Sequence, residues 1–302
     1  MAIHPAIESM IKRYNCKTKM EYKSALKEII QEIILLGLSR HGFFERAAFY
    51  GGSALRIAHK LDRFSEDLDF ELRKKDLHFD ISSFIKGIDE ELLSFGLKLT
   101  TNKKKKINVN LHVESAFVKG NTLENLLLIE GIDNPSKGIN KNDQICVKVE
   151  IDVNPPNYQS STEIKYHNYP ISFEYQILDL PSLFAGKLHA ILCRNWRGDR
   201  VKGRDYYDFL WYHKHKIIPN LKYLEAKFLQ TQKQAKIDAH VADKKLMSNV
   251  DLKKDLKQLL LERISKVNWQ QAIQDVEPFV NDNFALKVWN SKFFSHIIEE
   301  MV

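Results

Sequence analysis

The chain has 302 residues, of which 44% are hydrophobic and 28% charged, and its formal net charge is +7. This hydrophobic content is enough to bury a sizeable core, which excludes a wholly disordered protein. The three cysteines form no CxxC pair, so their pattern disfavours a disulfide framework and a zinc site and is typical of a reducing cytosol. The basic balance favours polyanionic partners through attraction and counterion release.

The amino-terminal sequence does not have the pattern of an export signal. Residues 1–17 mix charged and apolar positions without the apolar run of a signal peptide. Nowhere does the sequence contain an apolar stretch long enough to span a bilayer. We therefore expect a cytoplasmic protein that has no membrane partner.

The first part of the chain alternates helical and strand patterns. Apolar residues at helical spacing predict a helix over 21–39 that stops at Gly37, and alternating apolar residues predict strands. In chain order the further elements are a strand over 43–50, a helix over 53–61, a strand over 66–73, a helix over 81–96, two strands within 97–115 joined by a lysine-rich turn, and a strand over 145–154.

After Asp179 the pattern changes to helices, over 180–196, 204–216 and further segments to the carboxyl terminus. Pro181 suits the first turn of a helix, and Asp179 can cap it. We expect an α+β protein with two domains. Residues 1–178 form an α/β domain with amino-terminal helices and a mixed sheet flanked by helices, and residues 179–302 form a mainly helical domain.

The acidic strand Asp67-Leu68-Asp69-Phe70 is the most informative segment. Side chains alternate between the faces of a strand, so Asp67 and Asp69 point one way while Leu68 and Phe70 face the core. Two neighbouring carboxylates repel each other unless a cation lies between them, and Mg²⁺ suits such oxygen ligands. The alternative is an edge strand or turn whose acids are only solvated.

A glycine turn precedes this strand. Gly51, Gly52 and Ser53 lie between a predicted strand and a helix start, where glycine lets the backbone approach phosphate oxygens and free N–H groups favour anions. The alternative is an ordinary tight turn with Ser53 as the helix cap. Farther along, Glu150 and Asp152 share one face of a strand, and either one can complete a carboxylate cluster; otherwise they form a polar outer face.

The combination of a GGS turn, a paired-acid strand and a later acidic strand resembles the DNA polymerase beta-like nucleotidyltransferase superfamily, which uses two metal ions. A longer match resembles the AbiEii/AbiGii toxin family. It consists of GGSALRIAHKLDRFSEDLDFEL over 51–72, VKVEIDV over 147–153, LPSLFAGKLHAILCR over 180–194 and KGRDYYDFLWY over 202–212. The first block supplies Arg63 and Ser65 ahead of Asp67.

The resemblance implies a Mg²⁺-dependent nucleotidyltransferase toxin of a bacterial toxin–antitoxin or phage-defence (abortive-infection) system, paired with a cognate antitoxin protein. It implies transfer of a nucleotide from a nucleoside triphosphate (NTP) to the 3′ end of tRNA, which blocks translation. Asp67 and Asp69, with Glu150 or Asp152, would bind two Mg²⁺ ions. Other relatives are described mainly as GTP-binding.

The second block implies further site residues on the helical domain, which would complete the active site. Lys187 would neutralise the triphosphate, and Asp205 or Asp208 would orient Lys187 or act as a base. The alternative is a solvated lysine and ordinary ion pairs. The nucleotide-binding candidates are Gly51, Gly52, Ser53, Arg56, Arg63, Ser65 and Lys187, although a salt bridge to Glu66 or Asp69 is a rival role for Arg63.

An RNA acceptor requires basic surface with aromatic side chains on which bases stack. The candidates are Arg194, Arg197, Lys202 and Arg204, with Tyr206, Tyr207, Trp211 and Tyr212 interleaved and the lysine turn 103–106 less favoured. Two other functions stay open: transfer to a protein or small-molecule acceptor, and an NTP-binding module without transfer activity. The presence of every expected acid and of Lys187 counts against the last of these.

Overall fold

The computed structural model describes residues 4–103, 113–121, 144–156, 160–194, 201–237, 252–280 and 282–301. The chain divides into two compact units. The sheet unit comprises Met1–His59, Phe64–Pro155 and Thr162–Ile177, and the helical unit comprises Lys60–Arg63, Pro156–Ser161 and Leu178–Val302. Two short segments of the first part of the chain therefore belong to the helical unit.

The strands are β1 (Ala47–Tyr50), β2 (Asp67–Leu72), β3 (Thr100–Lys103), β4 (Val113–Asn121), β5 (Gln144–Asp152), β6 (Thr162–His167) and β7 (Phe173–Leu178). The helices are α1 (Pro5–Arg13), α2 (Lys19–Arg40), α3 (Gly51–His59), α4 (Ser82–Ser94), α5 (Leu180–Cys193), α6 (Gly203–Lys214), α7 (Leu221–Ile237), α8 (Leu252–Ser265), α9 (Trp269–Val276) and α10 (Ser291–Glu299). Short 3₁₀ helices lie at Phe43–Glu45, Glu277–Phe279 and Phe284–Val288.

The seven strands within the described residues form one mixed sheet in the order β3-β4-β5-β2-β1-β7-β6. Strand β2 lies in the middle, antiparallel to β1 and parallel to β5, while β4 runs antiparallel to β5 and to β3. A parallel neighbour requires a long crossover, which the chain between β2 and β5 provides. The prediction of an α+β protein with a mixed sheet flanked by helices is confirmed.

The central strands β2 and β5 bury one of their faces because apolar residues alternate along them. Leu68 and Phe70 of β2 and Val149 and Ile151 of β5 have no exposed surface. Helix α2 contacts β5 and is itself buried along most of its length. The opposite face of β2 and β5 carries the polar side chains at the odd positions of β2 and the even positions of β5.

Gly37 does not end α2, which continues to Arg40, so that part of the prediction is wrong. The glycine has a packing role instead. A Cβ at this position would lie 3.1 Å from the Gly87 carbonyl oxygen and 3.2 Å from the Ile88 Cα of α4. Glycine is therefore present because the two helix backbones approach each other closely.

The helical unit is built on buried aromatic side chains. Tyr212 and Phe184 stack with their ring centroids 4.5 Å apart, and Trp269 and Phe294 stack at 4.3 Å. Asp179 caps α5 by accepting a hydrogen bond from the Ser182 N–H at 2.9 Å, which confirms its predicted role. Among the described residues, no helix is both long enough and apolar enough to cross a bilayer.

Candidate active site

Two acidic side chains lie next to each other on the central strands of the sheet unit. Asp69 of β2 is in register with Glu150 of β5, and Asp67, two residues earlier, is in register with Lys148. Register partners in a sheet share a face, so Asp67, Asp69 and Glu150 lie on the same face. All three are partly exposed. The register places Asp152 beside Glu71 instead. Of the two candidates for the third acid, Glu150 is therefore the one directly beside Asp69.

Further charged residues lie beside these acids, Lys148 on β5 and Glu71 on β2. The Lys148 Nζ lies 2.6 Å from the Glu150 Oε1, and both side chains are about one-third exposed. Glu71 lies on the same face as Asp69 but is only 2% exposed. Sequence reasoning did not single out Glu71, although its place in the alternation of β2, two residues after Asp69, was a signal that could have identified it.

The glycine turn touches the acidic strand directly. Gly51 follows β1 with a φ of +83°, and a Cβ built on it would lie only 2.5 Å from the Asp69 Oδ2. Tyr50, the preceding residue, is in register with Asp69. Only glycine combines this left-handed conformation with so close an approach, so Gly51 sets the space that the Asp69 carboxylate occupies.

Helix α3 begins at Gly51, two residues earlier than predicted, and Ser53 is therefore not its cap. Ser53 lies in the first turn, fully buried, and its hydroxyl donates to the Asp67 carbonyl oxygen. Gly52 occupies the same first turn. The backbone N–H groups of a first helical turn have no intrahelical acceptor, so this turn has the donors that an anionic group requires.

The donor chemistry of this face fits a hard divalent cation. Asp67, Asp69 and Glu150 offer only carboxylate oxygens, which Mg²⁺ prefers. Among the described residues, no group of three or more His, Cys, Asp or Glu side chains is arranged as a metal site. A closed protein shell is not required, because Mg²⁺ is commonly held by one or two carboxylates and completes its shell with water and substrate phosphates.

Two other candidates on the sheet unit have internal roles. The Arg56 Nε donates to the Glu28 Oε2 at 2.8 Å, and the guanidinium lies 4.6 Å from the centroid of the Phe64 ring. The Ser65 carbonyl oxygen accepts a hydrogen bond from the Gln31 Nε2. Through these contacts, Arg56 and the Ser65 backbone stabilise the segment that precedes β2.

A buried ion cluster lies in the helical unit, between α5 and α6. The Lys187 Nζ is 2.8 Å from the Asp205 Oδ1 and 2.7 Å from the Asp208 Oδ2. The two aspartates lie three residues apart on α6, so they share a face and both reach Lys187. Each carboxylate is almost completely buried.

Two arginines complete this ion cluster. Arg63 donates from Nε and NH2 to the two carboxylate oxygens of Asp208, both at 2.7 Å. Arg194 donates from NH1 to the Asp205 Oδ2 at 2.6 Å. Sequence reasoning named neither partner: it set Arg63 against Glu66 or Asp69, and it assigned Arg194 to RNA. Among the described residues, three cations therefore contact these two carboxylates.

The carboxylates keep the cations of the cluster charged. Burial lowers the pKa of Lys187, but Asp205 and Asp208 outweigh it, so the pKa of this ammonium is raised overall. Burial raises the pKa of Asp205, but Lys187 and Arg194 bring it down to about 2. Lys187 and Asp205 are therefore both charged near neutral pH.

The RNA candidates lie in different surroundings. Lys202 is exposed, and the Arg204 guanidinium lies 4.3 Å from the centroid of the Phe279 ring and near Asp275. Arg197, like the lysine turn beyond Lys103, lies outside the described residues. Among the aromatics, Tyr206 and Tyr212 belong to the core, whereas Trp211 is partly exposed and stacks on His215 at 3.9 Å.

Among the solved structures compared, a nucleotidyltransferase toxin shares the fold of this chain. MenT4, a nucleotidyltransferase toxin from Mycobacterium tuberculosis H37Rv, superposes with a TM-score of 0.57 at 15% identity, over 98% of this chain and 90% of that chain. A proposed nucleotidyltransferase from H. pylori gives 0.47 at 17% identity over 92% of each chain. JHP933 from Helicobacter pylori gives 0.42 at 19% identity over 84% of this chain and 92% of that chain. The search of curated proteins found no significant match.

Comparison with protein families identifies the chain. Residues 33–294 match the family described as "Nucleotidyl transferase AbiEii toxin, Type IV TA system". The match includes the glycine turn, β2, β5 and the ion cluster on α5 and α6. It covers most of the sequence rather than a single motif. The chain therefore belongs to the AbiEii family of nucleotidyltransferase toxins, which act in type IV toxin–antitoxin systems.

Proposed function

We propose that this toxin transfers a nucleoside monophosphate from an NTP to the 3′ end of tRNA in the cytoplasm, with Mg²⁺ as cofactor, and so blocks translation. The observation that carries the proposal is the position of Asp69. It lies in register with Glu150 on a parallel strand and against the backbone of Gly51. A phosphate-binding turn and a pair of carboxylates therefore adjoin each other within one unit.

The residues that would hold the metal are Asp67, Asp69 and Glu150. We choose Glu150 over Asp152 because Glu150 is the register partner of Asp69. When bound, Mg²⁺, in one or two ions, supplies positive charge that stabilises the phosphate oxygens of the substrate. The carboxylates contribute oxygen ligands, and Gly51 contributes by leaving the Asp69 carboxylate room at the end of β1.

Each of the two units has its own candidate group for binding a nucleotide phosphate. The first turn of α3, with Gly51 and Gly52, offers N–H donors to a phosphate. Lys187 offers a compact ammonium whose charge is secured by Asp205 and Asp208. Asp205, with its pKa of about 2, is a weak base, so we assign it to the orientation of Lys187 and not to proton removal. Asp208 contacts both Lys187 and Arg63, and we assign it to the same orienting role.

The choice of RNA as acceptor rests on charge. The net charge of +7 favours a polyanion. Lys202 and Arg204 adjoin the ion cluster in sequence, and the partly exposed Trp211 lies on the same helix as Arg204. Exposed basic and aromatic side chains suit an unpaired end of RNA, where a base can stack. A cognate antitoxin encoded with the toxin would restrain this activity.

The acceptor is tested by incubating the protein with Mg²⁺ and each α-³²P-labelled NTP in turn, separately with tRNA and with total protein. The proposal expects label on tRNA, removed by nuclease and absent for Asp69→Asn. Glu90→Gln, on the exposed side of α4, is the matched control and should label as the wild type does. Label on protein alone would overturn the RNA assignment. NTP binding without release of pyrophosphate would overturn transfer altogether.

A further inference from the structure

The sheet unit ends in an edge strand with exposed apolar side chains. Strand β6 stands last in the strand order, so one of its edges pairs with no other strand of the described sheet. Ile164 and Tyr166 on β6 are 50% and 74% exposed, and Tyr169 and Ile171 in the following turn are 41% and 42% exposed. Such an edge presents unpaired backbone groups and is a template for pairing with another chain.

The charges on the other face of β6 are self-complementary. Glu163 and Lys165 alternate with the apolar residues, lie 3.2 Å apart, and are each about one-third exposed or more. Two copies of a strand can pair antiparallel about a twofold axis. Directly opposite residues then point to the same face of the sheet, and residues on one face of a strand are all odd-numbered or all even-numbered. The numbers of two opposite residues therefore add up to an even number. Only a few registers of β6 against itself meet this condition.

Charge favours the register centred on Ile164 over those centred on its two charged neighbours. If Ile164 lies opposite the Ile164 of a second copy, Glu163 lies opposite Lys165 of that copy, and this attractive pair occurs twice. A register centred on Glu163 or on Lys165 places like charges opposite each other, which is destabilising. The same selected register places Tyr166 opposite Thr162, so no charge faces an apolar side chain.

We infer that two copies of this chain associate through antiparallel pairing of β6 with β6, with Ile164 opposite its own counterpart. The pairing extends the sheet across the twofold axis and covers the apolar side chains of both edges. It is independent of nucleotidyl transfer, because the paired residues lie on β6 and the Asp67, Asp69 and Glu150 side chains lie on β2 and β5.

The test measures the oligomeric state of the full chain by sedimentation equilibrium. The wild type should form a dimer. Lys165→Glu, which makes both central pairs repulsive, should raise the dimer dissociation constant by about tenfold or more. The double variant Glu163→Lys/Lys165→Glu reverses both charges and should restore the dimer. A monomeric wild type, an open-ended aggregate, or a dimer indifferent to Lys165→Glu would overturn the inference.

Cysteine crosslinking checks the register even if a charge variant misfolds. Ile164→Cys should form a covalent dimer in oxidised glutathione, since directly opposite Cβ atoms in a sheet are about 4.5–5.5 Å apart. Lys165→Cys is the matched control, because in this register residue 165 faces residue 163. The wild type, with its three native cysteines, gives the baseline. Crosslinking of Lys165→Cys but not of Ile164→Cys would contradict the register.

Discussion

Arg63 and Asp208 form a bidentate ion pair in the interior of the helical unit, although they lie 145 residues apart in the sequence. Arg63 is only 3% exposed, and Asp208 has no exposed surface. Burial lowers the pKa of Arg63, but Asp208 outweighs it, so the guanidinium stays charged. The pair ties the segment Lys60–Arg63, which precedes the acidic strand β2 in sequence, to helix α6.

Removing this arginine should destabilise the protein strongly. Arg63→Ala leaves Asp208 buried with one cation fewer, and we expect the free energy of unfolding to fall by about 3–5 kcal/mol. Arg46→Ala is the control, because Arg46 pairs with Asp76 at 2.6 Å on the surface, where a pair contributes about 1 kcal/mol or less. Urea denaturation measures both. Equal losses would contradict a special role for the buried pair.

Replacing Lys187 should impair the reaction. Lys187→Met retains the length of the side chain but removes the charge that Asp205 and Asp208 orient, so we expect kcat/KM for the NTP to fall by about 10²-fold or more. Lys86→Met, on an exposed position of α4, should leave it unchanged. Steady-state release of pyrophosphate gives the measurement. An unchanged kcat/KM would remove Lys187 from the proposed site.

Gly51→Ala should reduce activity through Asp69. Its Cβ would meet the Asp69 Oδ2 at 2.5 Å, and its φ of +83° costs alanine about 1–2 kcal/mol. The Asp69 carboxylate must therefore shift. We expect the rate of nucleotidyl transfer to fall by a larger factor than the modest loss in the free energy of unfolding would cause. Gly186→Ala is the matched control, since a Cβ there meets nothing within 4 Å. Full activity of Gly51→Ala would show that the contact does not position Asp69.

The stability of the protein should depend on pH through His189. Burial lowers its pKa from 6.5 to about 3, and its Nε2 lies 2.8 Å from the Thr231 Oγ1. A folded-state pKa below the unfolded value means that the stabilisation is complete above pH 6.5 and is lost as the pH falls towards 3.

Between pH 6.5 and 4, we therefore expect the free energy of unfolding of His189→Gln to fall less steeply with pH than that of the wild type. The two slopes should differ by about 1.4 kcal/mol per pH unit. Thermal or urea unfolding at a series of pH values measures this difference. His78→Gln, at an exposed position, serves as the control and should follow the wild-type slope. If the slopes of all three proteins coincide, His189 is not held neutral in the folded state.

Local patterns predicted the central strands of the sheet well but did not identify α1, β6 or β7. Strands β2 and β5 were placed to within two residues, because alternation of apolar and polar residues depends only on the neighbouring positions. The predicted strand over 43–50 is wrong in its first half, because Phe43–Glu45 form a 3₁₀ helix and β1 begins at Ala47. Two further errors arise from contacts outside the local sequence. Gly37 continues a helix because α4 packs against it, and Ser53 lies inside α3 because the left-handed Gly51 allows the helix to start directly after β1.

The pairings within the site were not predictable from local patterns. The register of Asp69 with Glu150 depends on how β5, about 80 residues later, aligns with β2. The contact of Arg63 with Asp208 depends on a short segment folding with the helical unit. Sequence alone left Glu150 and Asp152 equivalent, since both lie on one face of one strand, and only the strand pairing distinguishes them.

The central claim is that the carboxylates of β2 serve transfer of a nucleotide to tRNA ends. The most direct measurement is sequencing of the 3′ ends of cellular tRNA after brief induction of the toxin, with Asp69→Asn and Glu90→Gln as parallel strains. We predict added nucleotides and arrested growth for the wild type and Glu90→Gln, and neither for Asp69→Asn. Arrested growth with unchanged tRNA ends, or extended ends in Asp69→Asn, would contradict the account.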